Sequence, residues 1–243
     1  MKENKYDDRA FFEAYSEFPR SKEGLAAAGE WHRLEQMLPD FCGKRVLDIG
    51  CGFGWHCRYA AAQGAKTVVG TDISEKMLAV AREKTGYGNV EYRKAAMEDL
   101  DFAENSFDSI ISSLAFHYTP DFEYMCKKIH RFLTPGGYFV FSAEHPVFTA
   151  YGTQDWLYGD NGNIVCWPVD RYFEEGSRQP LFLGERVTKY HRTMESYLKA
   201  LLDAGFSIVD FAEPKPTKEM MEIAAMKEEL RRPMMFIVAA QKK

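Results

Sequence analysis

The stretch Val46-Leu47-Asp48-Ile49-Gly50-Cys51-Gly52-Phe53-Gly54, answered by Asp72 22 residues after its first glycine, decides the reading of this chain. The apolar run predicts a short buried strand, the spaced glycines a tight turn, and the residues from Trp55 a helix. A second apolar run at 67–71 predicts a strand that ends beside Asp72. In parallel α/β sheets ligands bind at the carboxyl ends of the strands, where a glycine turn lets backbone approach and a helix N-terminus faces a negative charge. The layout is that of a site for an adenosine-containing ligand.

Glycine spacing narrows the ligand. A dinucleotide fingerprint needs G-x-G-x-x-G, and Gly50, Gly52 and Gly54 are followed by Trp55 where the last glycine belongs. A pyrophosphate therefore fits less well than a ligand bearing a carboxylate. Asp72 stands where an acid accepts hydrogen bonds from a ribose diol, with N-capping of the next helix as its competing role. Asp48 is an acid in an otherwise apolar strand, costly to bury unless it meets a polar partner such as a ligand amino group.

Outside this segment, strand and helix signals alternate. Strands are expected at 44–49, 67–71, 90–93, 107–114 and 138–142, and helices at 55–63, 74–84 and 121–133, with Thr134-Pro135-Gly136-Gly137 as the stop after the last. Helical spacing also covers 21–38 and 194–203, strands 206–212 and 234–240, and a polar helical stretch 216–231. The rhythm predicts a doubly wound, mostly parallel α/β sheet in a single domain of 243 residues. Its parts are an N-terminal helical cap (1–43), a cofactor-binding core (44–145), an irregular insertion or substrate lid (146–190), and the C-terminal part of the sheet (191–243).

Composition sets the outer bounds. A net charge of −5 disfavours a generic nucleic-acid or membrane-surface binder. Five cysteines, an odd number without a CxxC pair, read as reduced thiols rather than a disulfide scaffold or zinc site. The polar start of the chain and the lack of a long apolar run predict a cytoplasmic protein with no membrane partner. Monomer and homodimer both stay open.

In this order the blocks resemble class I S-adenosylmethionine-dependent methyltransferases, in particular their small-molecule branch. The likeness runs from about Lys44 to Glu144, through 46–54, Thr71-Asp72-Ile73-Ser74, Met77-Leu78, Ala81-Arg82, Met97-Glu98-Asp99-Leu100, 107–111 and Leu133-Thr134-Pro135-Gly136-Gly137. It implies a seven-stranded Rossmann-like sheet with an antiparallel last strand. It also implies S-adenosylmethionine as methyl donor, S-adenosylhomocysteine as product and a small-molecule acceptor at O, N or C, with no metal required. By the same resemblance Gly50, Gly52 and Gly54 border the methionine moiety and Asp72 holds the ribose, with Asp48, Cys51 and Trp55 also expected at the cofactor. Ile73 and Met77 sandwich the adenine, Met97 and Glu98 lie near its amino edge, and Ser113 or Leu114 offers a carbonyl to the ammonium. Many relatives carry an aspartate where this chain has Ala96, and Glu98 is the expected substitute.

Acceptor residues are read from position. His117 follows the fourth strand, Glu144 and His145 the fifth, and His191-Arg192 precede the late helix. The three histidines are the candidates for proton transfer, each set against a packing or loop role. Tyr118, Glu144 and Arg192 are expected at the acceptor, and Tyr15 and Arg20 either close over the methionine carboxylate or belong to an exposed arm. Trp156, Tyr158, Trp167, Tyr172 and Phe173 could wall an apolar or cationic pocket or supply the insertion with its own small core. Three other classes compete. A nicotinamide-dependent oxidoreductase is disfavoured by Trp55, and an amino-methylating DNA enzyme by Ser113-Leu114-Ala115-Phe116, which is no Asn/Asp-Pro-Pro-aromatic block. A non-catalytic S-adenosylmethionine-binding or regulatory protein would keep the glycine turn and lose the acceptor site.

Overall fold

The computed structural model describes residues 4–243, the side chains of residues 224 and 225 apart. Seven strands form one sheet: β1 (Arg45–Ile49), β2 (Thr67–Asp72), β3 (Val90–Lys94), β4 (Phe107–Ser113), β5 (Leu133–Glu144), β6 (Phe206–Ala212) and β7 (Met235–Lys242). Their order is β3-β2-β1-β4-β5-β7-β6. The first five strands pair in parallel, while β7 runs antiparallel to both β5 and β6. Order reverses between β1 and β4, so the crevice for a ligand opens at their carboxyl ends.

Period-two burial explains how β1 serves two layers. Leu47 and Ile49 pack on the face shared with α6 (Phe122–Phe132) and α7 (Met194–Asp203), in a cluster that includes Phe122, Phe132, Phe141 and Tyr197. Val46 packs on the opposite face under α4 (Trp55–Ala62) and α5 (Glu75–Lys84), with Cys57, Ala60 and Leu78. Strands covered on both faces read as apolar runs, which is why 138–143 is so hydrophobic.

Three segments depart from expectation. The 21–38 periodicity is broken into a helix Pro19–Glu23, a 3-10 turn Gly24–Ala27 and a helix Trp31–Met37. Gly24 causes the break. It has φ +76°, and a Cβ there would lie 2.6 Å from the Trp55 ring. The 216–231 stretch is likewise three short pieces, Met220–Glu222, Ala224–Glu228 and Glu229–Arg231, separated at Ile223 by extended backbone. The fifth strand begins at Leu133 rather than 138, and the Pro-Gly-Gly stop survives inside it as a register shift against β4.

The 146–190 insertion has more order than its composition suggests. Gly176–Arg178 pairs with Lys189–His191, and beyond it Leu181–Phe182 pairs with Glu185–Arg186. Leu183 and Gly184 turn this arm at φ +55° and +81°, the left-handed pair that a two-residue hairpin requires. Phe182, next to the tip, stacks on Phe18 with centroids 6.0 Å apart, and Lys5 Nζ lies 2.9 Å from Glu185 Oε2. The arm and the N-terminal cap thus meet above the carboxyl edge of the sheet.

Candidate active site

The glycine turn is held from two sides. The N–H groups of Gly50 and Cys51 both donate to Thr71 O, at 2.8 and 2.9 Å, which ties the end of β1 to β2. Asp72 accepts from Gly52 N through one carboxylate oxygen and from Ser74 N through the other, each at 2.9 Å. Ser74 caps α5 by accepting from Met77 N, so Asp72 buttresses both the turn and the helix entry. Gly50, at φ +72°, carries no room for a side chain: a Cβ would stand 2.6 Å from that of Ala115. Gly50→Ala is expected to cost about 2–5 kcal/mol, strain and overpacking together. Urea unfolding measures it, and an unchanged midpoint would remove the close-approach account.

A cavity of about 740 Å³ opens over this turn. Gly50, Cys51, Gly52, Trp55, Asp72 and Ile73 line it, followed by Met77, Met97, Glu98, Ser113 and Leu114. The cap adds Tyr15 and Arg20, and the rim adds His117, Tyr118 and Glu144. Ten residues named from sequence lie outside the lining: Asp48, Gly54, His145, His191, Trp156, Tyr158, Trp167, Tyr172, Phe173 and Arg192.

Eight of them are engaged elsewhere. Asp48 lies beneath α4, where Cys57 Sγ donates to it at 3.2 Å, and burial raises its pKa to about 7. A Cβ on Gly54 would collide with Tyr92 Oη at 2.2 Å, so this glycine serves packing. His145 caps the short helix Pro146–Thr149 through Nδ1, and its Nε2 lies 3.1 Å from Glu213. His191 donates from Nε2 to Tyr172 O at 2.9 Å, which leaves Nδ1 to accept from Thr149 Oγ1 at 2.6 Å. Tyr172 accepts from Met194 N through its hydroxyl. Arg192 is buried and donates to the carbonyls of Phe116 and Thr119, bracing the loop that carries His117. Trp167 stacks on Phe148 at 4.9 Å, Trp156 packs edge-on against it at 5.0 Å, and Arg232 lies 4.2 Å above it. Trp156 and Trp167 therefore form a small core with Phe148, while Tyr158 and Phe173 are exposed.

Electrostatics divide the cavity into two halves. At the cap end the half-buried Arg20 bonds the buried Glu30 at 2.7 Å and Ser113 at 2.7 Å. At the rim Glu144 takes the Lys189 ammonium on one oxygen at 2.5 Å and Gln154 on the other at 2.6 Å. Burial alone would raise the Glu144 pKa, but Lys189 and His117 hold its carboxyl below the usual range. His117 Nε2 lies 4.0 Å from Glu144 Oε1, and burial lowers the ring's pKa to about 4, so the imidazole is neutral at physiological pH. Lys189 and Tyr6 also line the cavity and went unnamed in the sequence. Val187, Lys189 and His191 are buried in alternation along the arm, a pattern that the polar sequence there does not announce. Among the described residues no group of three or more His, Cys, Asp or Glu side chains could hold a metal ion. No described helix is long and apolar enough to cross a membrane.

Residues 47–141 match the family model described as a methyltransferase domain. Crystal structures described as S-adenosylmethionine dependent methyltransferases superpose on this fold. The Listeria monocytogenes protein has a TM-score of 0.87 and 51% identity, over 90% of this chain and 99% of that one. The Mesorhizobium loti protein has a TM-score of 0.84 and 42% identity, over 90% and 100% respectively. The ubiquinone biosynthesis O-methyltransferase of Mesorhizobium japonicum is 36% identical over 185 residues, 75% of this chain and 68% of that protein. The chain belongs to the class I S-adenosylmethionine-dependent methyltransferases. It is an enzyme whose methyl donor is S-adenosylmethionine and whose spent donor is S-adenosylhomocysteine. The donor set suits that group: an acid at Asp72, a half-buried cation at Arg20, and the apolar side chains of Ile73 and Met77.

Proposed function

We propose that the enzyme methylates a small molecule held between the glycine turn and the insertion arm. One observation carries the reading. The cavity continues past the donor half to His117, Glu144 and Lys189 beneath a roof formed by Phe18 and Phe182. Its volume falls in the range of roughly 300–1,000 Å³ that small ligands fill. The small-molecule acceptor of the Mesorhizobium japonicum relative supports the same class.

Bound S-adenosylmethionine supplies a methyl already activated on a sulfonium. Asp72 would hold the ribose hydroxyls with the lone pairs left over from Gly52 and Ser74. Ile73 and Met77 would flank the adenine, and Glu98 would face its amino edge, since Ala96 lines the same wall without a polar group. Arg20 and Tyr15 would hold the methionine carboxylate, and the backbone at Ser113–Leu114 its ammonium. Asp48, outside the lining, would act through the turn. The chain's contribution to rate is then orientation and exclusion of water by the cap and arm.

Ligand-induced stabilisation tests the donor half. S-adenosylhomocysteine at about 100 times its Kd contributes about 2.7 kcal/mol, which for a chain of this size raises Tm by roughly 5–10 °C. NAD at the same concentration is expected to leave Tm unchanged. Stabilisation by NAD alone would overturn the donor assignment.

A further inference from the structure

Resting on that reading, we infer that the acceptor atom is a hydroxyl oxygen of a neutral molecule, and that His117 Nε2 takes its proton while Glu144 and Lys189 position the ring. Among the described residues the rim holds no surplus negative charge for a cationic amine. The Glu144 carboxylate is neutralised by the Lys189 ammonium, and its other oxygen accepts from Gln154. It has no surplus cation for an anionic acceptor either, because Lys189 is paired with Glu144 and Lys5 with Glu185. What it offers is hydroxyls, with Tyr6 and Tyr118 2.9 Å apart, and a buried imidazole beside a carboxylate.

The His117–Glu144 gap is the telling distance. At 4.0 Å it is too long for a hydrogen bond, so with the ring proton on Nδ1, which has no protein partner, Nε2 has a lone pair for an incoming O–H. The hydroxyl proton passes to Nε2 as the oxygen bonds the methyl carbon. The sulfur–methyl bond breaks with its electron pair on sulfur, giving a methyl ether, neutral S-adenosylhomocysteine and an imidazolium. That imidazolium faces Glu144 from β5, which favours it, and Lys189 of the arm and Arg192 before α7, which oppose it. Burial keeps the resting ring neutral but weakens it as a base, so the nearby Glu144 carboxylate is what favours the charged ring as the proton arrives.

The test supplies [methyl-13C]S-adenosylmethionine with a bacterial small-molecule extract and reads the labelled atom by NMR. Label on oxygen is expected, and His117→Gln is expected to cut its formation roughly 100- to 10,000-fold with S-adenosylhomocysteine affinity unchanged. Label on nitrogen, sulfur or carbon overturns the hydroxyl assignment and leaves the methyltransferase reading intact. Absence of any labelled small molecule overturns both. A readout independent of turnover is the His117 ring titration in the protein without donor. Its pKa is expected near 4 and lower still in Glu144→Gln, because the carboxylate favours the charged ring. A titration in the ordinary histidine range, unmoved by Glu144→Gln, overturns the role of that carboxylate.

Discussion

Asp72→Ala is expected to weaken S-adenosylhomocysteine binding by roughly 10- to 150-fold, the loss of one or two hydrogen bonds to a charged acceptor worth about 1.5–3 kcal/mol. The side chain carries a second burden, since its oxygens also receive Gly52 N and Ser74 N. Asp72→Asn separates the two. One amide oxygen still accepts from one of these N–H groups while the ribose loses its anionic acceptor. Calorimetry should therefore rank affinity as wild type, Asn, Ala, with the Asn variant nearer the wild type in urea. Equal affinity in all three would remove the ribose assignment.

The donor half was legible because its physics is local. Alternating glycines, an apolar strand and an acid at the end of the next strand lie within 27 residues of sequence, from Val46 to Asp72. What stayed hidden depends on contacts between distant segments. Gly24 breaks the 21–38 helix because the Trp55 ring needs its space, and nothing near Gly24 announces Trp55. The arm at 176–191 was read as irregular because its strands are two or three residues long and mix charges with aromatics.

The histidines show the same limit. All three candidates stand at the carboxyl end of the sheet or just before the late helix, yet only His117 reaches the cavity. His145 was diverted by Pro146, whose helix start needs a cap, and His191 by the carbonyl of Tyr172 in the turn before the arm. Position after a strand brings a side chain near a site. Whether its nitrogens are already taken decides if it can act there.

The buried pair beneath His117 yields the second large effect. Lys189 is 3% exposed and Glu144 8%. Removing one partner of such a pair strands a charge in low dielectric at a cost of about 3–5 kcal/mol, whereas replacing both by uncharged groups of similar size is often near neutral. Glu144→Ala is thus expected to lower stability by about that amount, and Glu144→Gln with Lys189→Met to recover most of it. Urea unfolding distinguishes them, and a Glu144→Ala protein as stable as the wild type would show that solvent reaches the ammonium. The double variant has a further use. It should fold and bind S-adenosylhomocysteine, because neither residue belongs to the donor half, but its His117 has lost the carboxylate that favours the imidazolium. Full methyl transfer by that variant would leave the pair with a purely structural role. A folded, donor-binding, inactive variant would tie the buried charge to the acceptor's proton.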